Sequence, residues 1–231
     1  MGARRITPIL DVHGHYPPGT MIINPYILQA PASGYLVEEN FETGLAPSGW
    51  TTTSGWTWNN TSPVFQGTYS PRVNDFGAPH AYKAFTGQSE VFAYFVYRTA
   101  DVTPSSDGRN LARFTDSSGN TQVFISQKSD GTVRLMWGDF AALDVTGALA
   151  DNTWYHFWLR YKKGTGANAI TSIGISTDGI RPTSGSYYKE LLTGTFTTDA
   201  ARVYIEGQNG MGVNTYFDRY LVSTSQIGDN P

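Results

Sequence analysis

Cysteine is absent from the 231-residue sequence, so disulfide bonds, thiolate metal ligands and cysteine nucleophiles are all excluded. Charge is scarce as well: Asp, Glu, Lys and Arg make up 15% of the residues, and the formal net charge is −3. A protein that grips nucleic acid through its phosphates needs a positive surface, so we predict no nucleic-acid partner. The sequence also lacks an apolar run of the roughly 20 residues that cross a bilayer, which predicts no membrane partner.

Targeting signals are missing from the start of the sequence. The first residues, MGARRITPILDVHGHYPPG, contain no apolar stretch of the length found in signal peptides. A Met-Gly start would suit N-myristoylation, but that signal needs Ser or Thr where this chain has Ile6. We therefore expect a protein that is made in a cytoplasm and is not exported by the general route.

Helix-forming patterns are also missing. Aromatic residues reach 14%, and charged helix formers are few, a composition typical of half-buried β-sheet surfaces. No long segment has the periodicity of an amphipathic helix, and residues 141–149 favour one short helical turn at most. Apolar runs between turn residues predict strands at 35–41, 81–86, 91–99, 111–115, 121–127, 132–138, 153–162, 170–177, 201–207 and 215–223.

Alternation within the run 153–162 predicts the two faces of that strand. One face carries Tyr155, Phe157, Leu159 and Tyr161, and the other carries Trp154, His156, Trp158 and Arg160. The run 91–97 is apolar at every position, which is typical of a central strand covered on both sides. Turn residues at 116–120 and 129–131 predict two hairpins, and therefore a three-stranded meander over 111–138.

Residues 1–36 have a different character from the rest of the chain. They hold five of the 12 prolines, and between Ile6 and Val37 the only charged residue is Asp11. Proline fixes φ and removes a backbone donor, and an apolar segment without its own core tends to lie against another surface. We therefore predict an extended docking arm over 1–36 and a globular domain over 37–231. The predicted partner-binding residues of the arm are Ile9, Leu10, Tyr16, Met21, Ile22, Ile23, Tyr26, Ile27 and Leu28.

Several short motifs follow one another in the predicted domain. They are ENFE at 39–42, PSGW at 47–50, GTYS at 67–70, DGTVRL at 130–135, NTWYHFWLRY at 152–161 and YFDRYLV at 216–222. In order and spacing these motifs resemble the concanavalin A-like lectin/glucanase superfamily, near its laminin-G-like members. The resemblance covers residues 38–231 and implies an all-β fold, an antiparallel two-sheet jelly-roll sandwich whose first strand pairs near its last. The spacing of the turns favours the same fold independently.

The catalytic and metal-binding motifs of that superfamily are missing here. Its glucanases carry a Glu-x-Asp-x-x-Glu strand, its alginate-lyase-like members a Gln-x-His strand, and its legume-type lectins a loop with clustered Asp, Asn and His; this sequence has none of these. In the arm, Asp11, His13 and His15 alternate, but three ligands without a fourth are common by chance. We therefore predict no enzyme, no cofactor and no metal, with glycan cleavage as the least favoured hypothesis. Calcium held by backbone carbonyls is left open.

Two groups of aromatic residues are candidate glycan-binding sites, because aromatic faces stack on sugar rings. The first contains Trp56, Trp58 and the neighbouring amide Asn59, and the second centres on Trp158. For the first group we favour the competing interpretation that the rings cap the core of the sandwich, since aromatic residues dominate core burial. For the second group the competing interpretation is that a crossing loop, or the arm, covers the stripe around Trp158.

The leading hypothesis from the sequence is a non-enzymatic structural and interaction protein. Leaderless, cysteine-free jelly rolls with docking arms resemble accessory proteins of virus or bacteriophage particles, such as capsid decoration, cement or tail-associated proteins. That resemblance implies protein partners, either copies of this chain or capsid and tail proteins, and a virion location after assembly in a host cytoplasm. The alternative is a carbohydrate-binding module. Both roles are compatible, since a particle-surface domain can also bind glycans.

Overall fold

A computed structural model describes residues 34–73, 79–103, 108–137, 141–192, 194–207 and 213–231 of the chain. The predicted contacts of the arm, from Ile9 to Leu28, lie outside the described residues. Within the described ranges, no helix is long and apolar enough to cross a bilayer.

The described residues form 17 strands. In chain order these are β1 (Tyr35–Glu39), β2 (Trp50–Thr52), β3 (Trp56–Thr57), β4 (Arg72–Val73), β5 (His80–Gln88), β6 (Glu90–Thr99), β7 (Arg109–Thr115), β8 (Thr121–Gln127), β9 (Val133–Trp137), β10 (Ala141–Val145), β11 (Tyr155–Lys162), β12 (Gly164–Gly166), β13 (Ile170–Ser176), β14 (Tyr188–Leu191), β15 (Gly194–Phe196), β16 (Ala200–Glu206) and β17 (Thr215–Ser223). The predicted all-β class is therefore confirmed.

The strands build two large antiparallel sheets. The eight-stranded sheet has the order β14-β13-β11-β6-β17-β4-β3, with β1 paired to β17 beside this path. The seven-stranded sheet has the order β10-β9-β8-β7-β16-β5-β2, and β12 with β15 forms a small third sheet. The first strand pairs with the last, with Glu39 opposite Tyr220, as the family resemblance implied. The predicted antiparallel two-sheet jelly-roll sandwich is confirmed.

The main core lies between the two large sheets. The predicted division of β11 into two faces is confirmed, and the structure shows that the face with Tyr155, Phe157, Leu159 and Tyr161 is the one buried in this core. At its centre Phe95 stacks on Phe157 with 5.0 Å between ring centroids, and on Tyr220 with 5.3 Å. Strand β6 lies between β11 and β17, as its apolar run predicts. Burying each such side chain contributes roughly 1.5–3 kcal/mol, so these layers hold the sheets together.

The meander β7–β8–β9 is confirmed, and its turns have the predicted chemistry. In the first turn the Asp116 carboxylate accepts hydrogen bonds from the backbone N–H groups of Ser118 (2.8 Å) and Asn120 (2.9 Å). In the second turn Gly131 has a φ of 79°, a left-handed conformation that favours glycine.

Each strand predicted from alternation is present, with ends shifted by at most two residues. Residues 141–149, where the pattern favours a short helical turn, instead begin with strand β10, which pairs with β9. The Asp144 carboxylate lies 2.7 Å from Arg134 Nε of β9. Cross-strand contacts of this kind outweigh the weak local preference of residues 141–149 for a helical turn. The other short strands, of two to four residues, are too short for alternation to reveal.

Candidate functional site

The two large sheets have outer faces of different character. On the eight-stranded sheet, residues 224–231, here called the C-terminal cover, lie against the face that carries Trp158. The cover contributes the buried side chain of Ile227, and the carbonyl of Gly228 accepts a hydrogen bond from Trp158 Nε1 at 3.2 Å. Trp158 is consequently only 4% exposed. A crossing segment therefore covers this stripe.

A histidine–tyrosine pair is buried on the same face. Tyr94 Oη and His156 Nδ1 are 2.7 Å apart, and the ring of Phe65 meets His156 at a steep angle with 5.1 Å between centroids. Burial lowers the pKa of His156 and raises the pKa of Tyr94, so both groups are uncharged near neutral pH. An enclosed, neutral hydrogen-bonded pair stabilises the packing of this face.

The predicted glycan-binding residues lie in different parts of the fold. Trp56 and Trp58 stack on each other with 4.9 Å between ring centroids and pack against the main core. Asn59 beside them is exposed. Trp158 belongs to a second apolar cluster together with Ile227 of the C-terminal cover. The structure brings Trp56, Trp58 and Asn59 together and separates them from Trp158; sugar binding by these residues stays a prediction.

The outer face of the seven-stranded sheet carries a row of large side chains. Register pairing places Tyr204 of β16 opposite Tyr82 of β5 on one side and opposite Arg113 of β7 on the other. The same line continues from Arg113 to Phe124 of β8 and Met136 of β9. We call these residues, together with Arg202 over the Tyr82 ring, the tyrosine–arginine row. Neighbouring strands lie about 4.8 Å apart, so the row spans about 19 Å, the scale of a short polymer segment.

Stacking contacts hold the centre of the tyrosine–arginine row in place. The rings of Tyr82 and Tyr204 are 4.9 Å apart with 28° between their planes. The guanidinium carbon of Arg113 lies 4.3 Å from the Tyr204 ring centroid, and that of Arg202 lies 5.3 Å from the Tyr82 centroid. Cation–π contacts of this kind contribute about 0.5–2 kcal/mol each. Val203, between Arg202 and Tyr204, belongs to the main core, so alternation directs the row outward.

Glu206 adds a carboxyl group to the same face. Its Oε1 atom lies 3.1 Å from Arg113 Nε, and its cross-strand neighbour is His80. Glu206 is 7% exposed, and this burial raises its pKa, while the charges of Arg113 and His80 act in the opposite direction. The face therefore combines aromatic rings, guanidinium groups and a carboxyl group that takes up a proton more readily than an ordinary glutamate.

The tyrosine–arginine row is not among the sites predicted from the sequence. Its members lie on five strands that only the sheet register brings together. One signal was available: Arg202, Tyr204 and Glu206 alternate along β16, which places three polar or aromatic groups on one face. Alternation identifies that face of β16. Which residues of the neighbouring strands lie opposite it depends on how the strands pair in the folded sheet, and the local sequence does not show this.

In the part of the chain that the structure describes, no three His, Asp or Glu side chains come together as metal ligands. Asp11, His13 and His15 fall outside the described residues. The predicted absence of a cofactor or metal stays a prediction.

Comparison with protein-family models gives no match, and comparison with curated proteins gives none either. Among solved structures, the chain is similar to cellulose induced protein Cip1, with a TM-score of 0.61 and 14% identity over 83% of this chain and 99% of that chain. It is similar to the endo-β-1,4-glucuronan lyase of the fungus Trichoderma reesei, with a TM-score of 0.54 and 12% identity over 84% and 92% of the two chains. It is also similar to a carbohydrate esterase of the Shiga toxin-encoding bacteriophage phi24B, with a TM-score of 0.55 and 11% identity over 83% and 99%. At these identities the similarity shows the fold alone, which is the jelly-roll sandwich of these proteins.

Proposed function

We propose that this chain binds an acidic carbohydrate through the tyrosine–arginine row, on the outer face of the seven-stranded sheet. The observation that carries the proposal is the position of Tyr204 between the Tyr82 ring and the Arg113 guanidinium group. The guanidinium group of Arg202 over Tyr82 adds a second cation to the same surface. The names of proteins with similar folds, among them a glucuronan lyase and a carbohydrate esterase, support a carbohydrate ligand.

Each kind of group in the row suits a different part of such a ligand. The half-buried Tyr82 ring offers an apolar edge and face for the C–H side of a sugar, whereas Tyr204 is 5% exposed and holds Tyr82 and Arg113 in place from below. The guanidinium groups of Arg113 and Arg202 have planar arrays of donors that match a carboxylate. Glu206 is paired with Arg113, so the charges of these two groups offset each other and Arg202 supplies the main attraction for an anionic ligand.

The opposite outer face offers less to a ligand. On the eight-stranded sheet the aromatic stripe around Trp158 is occupied by the C-terminal cover, whose Ile227 side chain is itself buried. A glycan would have to displace this cover and break the Trp158–Gly228 hydrogen bond before reaching the rings. The row on the seven-stranded sheet needs no such displacement of the cover.

Calorimetric titration of the full chain with polyglucuronate and with a neutral β-glucan tests the proposal. We expect polyglucuronate to bind more tightly, with an affinity that falls as salt screens the charge contacts. Tyr82→Ala removes a stacking ring and should weaken binding about three- to tenfold. Arg202→Gln removes a charged donor and should weaken it about tenfold or more.

Trp56→Phe is the matched control for these variants, since Trp56 belongs to the sequence-predicted sugar site and packs against the main core. This substitution should leave the affinity for polyglucuronate unchanged. Binding that is lost in Trp56→Phe and retained in Tyr82→Ala and Arg202→Gln would move the site to the tryptophan group. A chain that binds neither polymer would rule the proposal out.

Enzymatic activity is predicted to be absent, because the superfamily's catalytic motifs are missing from the sequence. Lyases and sialidases occur among the similar structures, at identities between 7% and 13%. The same polymers can therefore be incubated with the chain and their length followed by size-exclusion chromatography. We expect no shortening; cleavage that saturates with substrate would contradict this prediction.

A docking role for residues 1–36, as in a virion accessory protein, rests on the composition of that segment. It is compatible with glycan binding by the sandwich, because the two roles use different parts of the chain. The partners it implies are copies of this chain or the capsid and tail proteins of a particle. Truncation of the chain before β1 tests whether the segment carries association.

A further inference from the structure

A cleft of about 380 Å³ opens where β13 ends and the chain turns back toward β14. It is lined by Tyr155, Ile175, Ser176, Thr177, Asp178, Pro182, Ser184, Gly185, Ser186 and Tyr187. This volume falls in the range of small-molecule binding sites, which is roughly 300–1,000 Å³. None of these residues belongs to the tyrosine–arginine row.

The loop that forms one wall of the cleft is tied down at its start. The carbonyl of Gly179 accepts a hydrogen bond from the backbone N–H of Asn230 at 2.9 Å. The backbone N–H of Arg181 donates to Asp229 Oδ1 at 2.7 Å. The C-terminal cover thus holds the first half of this loop.

The end of the same loop is held by a different part of the chain. The carbonyl of Ser186 accepts hydrogen bonds from the backbone N–H groups of Thr146 and Gly147, both at 3.0 Å. Tyr187 Oη donates to the carbonyl of Ala148 at 2.9 Å. A loop fixed at both ends gives a cleft whose shape exists before a ligand arrives, which lowers the entropic cost of binding.

Gly147 fixes the Tyr187 ring against this wall. A Cβ atom built on Gly147 would lie 2.5 Å from two ring carbons of Tyr187, closer than any real contact. The aromatic ring can occupy its place only because residue 147 has no side chain. Tyr155, another residue that lines the cleft, is held by a hydrogen bond: its Oη atom accepts from the backbone N–H of Ala150 at 2.8 Å.

The polar groups of the cleft are hydroxyls and one carboxylate. Of the described residues that line it, Asp178 is the one with a charged side chain. The backbone N–H of Ile180 donates to Asp178 Oδ1 at 3.0 Å, and this hydrogen bond helps to lower the pKa of the carboxyl group. The Ser176 hydroxyl lies beside it. The cleft therefore favours ligands with hydroxyl groups and a positive charge, the opposite preference to that of the tyrosine–arginine row.

We propose that this cleft binds a single amino sugar, with its ammonium group on Asp178, its hydroxyl groups on the exposed Ser184 and Ser186 and its ring against Tyr187. The size of the space suits one sugar ring, and Tyr187 with Pro182 provides the apolar surface for its C–H face. This site is separate from the proposed polymer site and does not depend on it.

Titration of the full-length, isotope-labelled chain with glucosamine, followed by amide chemical shifts, tests this proposal. We expect saturable shifts in residues 175–187 at millimolar glucosamine, and weaker ones with glucuronate, because the Asp178 carboxylate repels it. Asp178→Asn should weaken glucosamine binding about two- to fivefold, as expected for an exposed ion pair. Tyr187→Ala should weaken it as well, through loss of the ring contact.

Two control variants separate the cleft from other sites. Asp199→Asn removes a carboxylate that does not line the cleft and should leave glucosamine binding unchanged. Tyr82→Ala should weaken polyglucuronate binding and leave glucosamine binding intact, so either site can fail without the other. Shifts that do not saturate, or an Asp178→Asn chain that binds glucosamine as the wild type does, would overturn the proposal.

Discussion

Asp218 is a carboxyl group with no exposed surface, on strand β17. Its Oδ2 atom accepts a hydrogen bond from Ser70 Oγ at 2.5 Å, and its Oδ1 atom accepts one from the backbone N–H of Arg219 at 2.8 Å. Burial raises the pKa of Asp218 from 3.8 to about 6, even though these hydrogen bonds act to lower it. The residue therefore links the segment before β4 to the last strand through a group that titrates in an accessible pH range.

Asp218→Asn should remove a pH-dependent part of the stability. Because the folded-state pKa of Asp218 lies above the unfolded value, its favourable contribution is complete below about pH 4 and is lost as the pH rises through about 6. Relative to the Asn variant, the wild type should lose on the order of 3 kcal/mol of unfolding free energy between pH 4 and pH 8. Urea unfolding of both chains across this range measures the difference.

Asp178→Asn is the control for the direction in which the unfolding free energy changes with pH. The pKa of the exposed Asp178 is lowered, so its contribution is present above the unfolded pKa and is lost as the pH falls. The two substitutions should therefore change the pH dependence of the unfolding free energy in opposite directions. A wild-type to Asp218→Asn difference that is constant with pH would mean that folding does not raise the pKa of Asp218.

For single residues, the sequence predicted the side of a strand on which a residue lies more easily than whether it packs in the core or binds a ligand. Alternation correctly placed Tyr155 and Phe157 on the same face of β11, which the structure buries in the core, because one buried face imposes a period of two. Alternation alone does not decide between sugar stacking and core packing for Trp56 and Trp58, and the preference for core packing came from the general burial of aromatic residues. The contact of Tyr204 with Arg113 joins strands distant in sequence, so no local pattern encodes it.

At the scale of elements, the long strands were predictable and the short ones were not. Runs such as β6 and β17 carry their own alternation or continuous apolar character, and their turns contain the residues that turn geometry requires. Strand β10 is an edge strand whose pairing with β9 depends on the Arg134–Asp144 contact, which appears only after the meander has formed. The C-terminal cover has no regular structure. The sequence, which offered a crossing loop or the arm as the cover of the Trp158 stripe, therefore did not identify residues 224–231 as that segment.

Ile227→Ala tests the C-terminal cover as an element. Ile227 is 3% exposed and packs in the cluster that contains Trp158 and Tyr94. Its truncation should leave a cavity and lower the unfolding free energy by about 2–4 kcal/mol, as for other buried aliphatic residues. We also expect the tryptophan emission to shift toward longer wavelength, because solvent then reaches Trp158. Urea unfolding followed by fluorescence reads both effects.

Ile180→Ala is the matched control for that variant. Ile180 is 55% exposed, so the same truncation should change the unfolding free energy by no more than about 0.5 kcal/mol. If Ile227→Ala were as mild as Ile180→Ala, the cover would contribute little to stability, and the eight-stranded face would then be open to ligands as well.

At the scale of the whole molecule, the sandwich separates stability from binding. The main core between the sheets and the smaller cluster under the C-terminal cover bury most of the large apolar side chains in the described ranges. The outer face of the seven-stranded sheet instead presents guanidinium groups and aromatic rings. Variants on that face should therefore change ligand affinity more than they change folding, which is what makes the proposed binding tests interpretable.

A chain comprising residues 34–231 tests whether the N-terminal segment serves association rather than folding. The truncation belongs after Ser33, because β1 begins at Tyr35 and pairs with β17, so a cut after residue 36 would remove part of a paired strand. We expect the shortened chain to unfold in urea within about 0.5 kcal/mol of the full chain, since both large sheets and the core lie in residues 34–231. Its mass by light scattering should be that of a monomer, whereas the full chain should associate with itself or with a particle protein.

A variant starting at residue 39, which loses most of β1, is the control and should be measurably less stable. If the 34–231 chain associates as the full chain does, the docking role of the segment is wrong, and the association surface must lie on the sandwich.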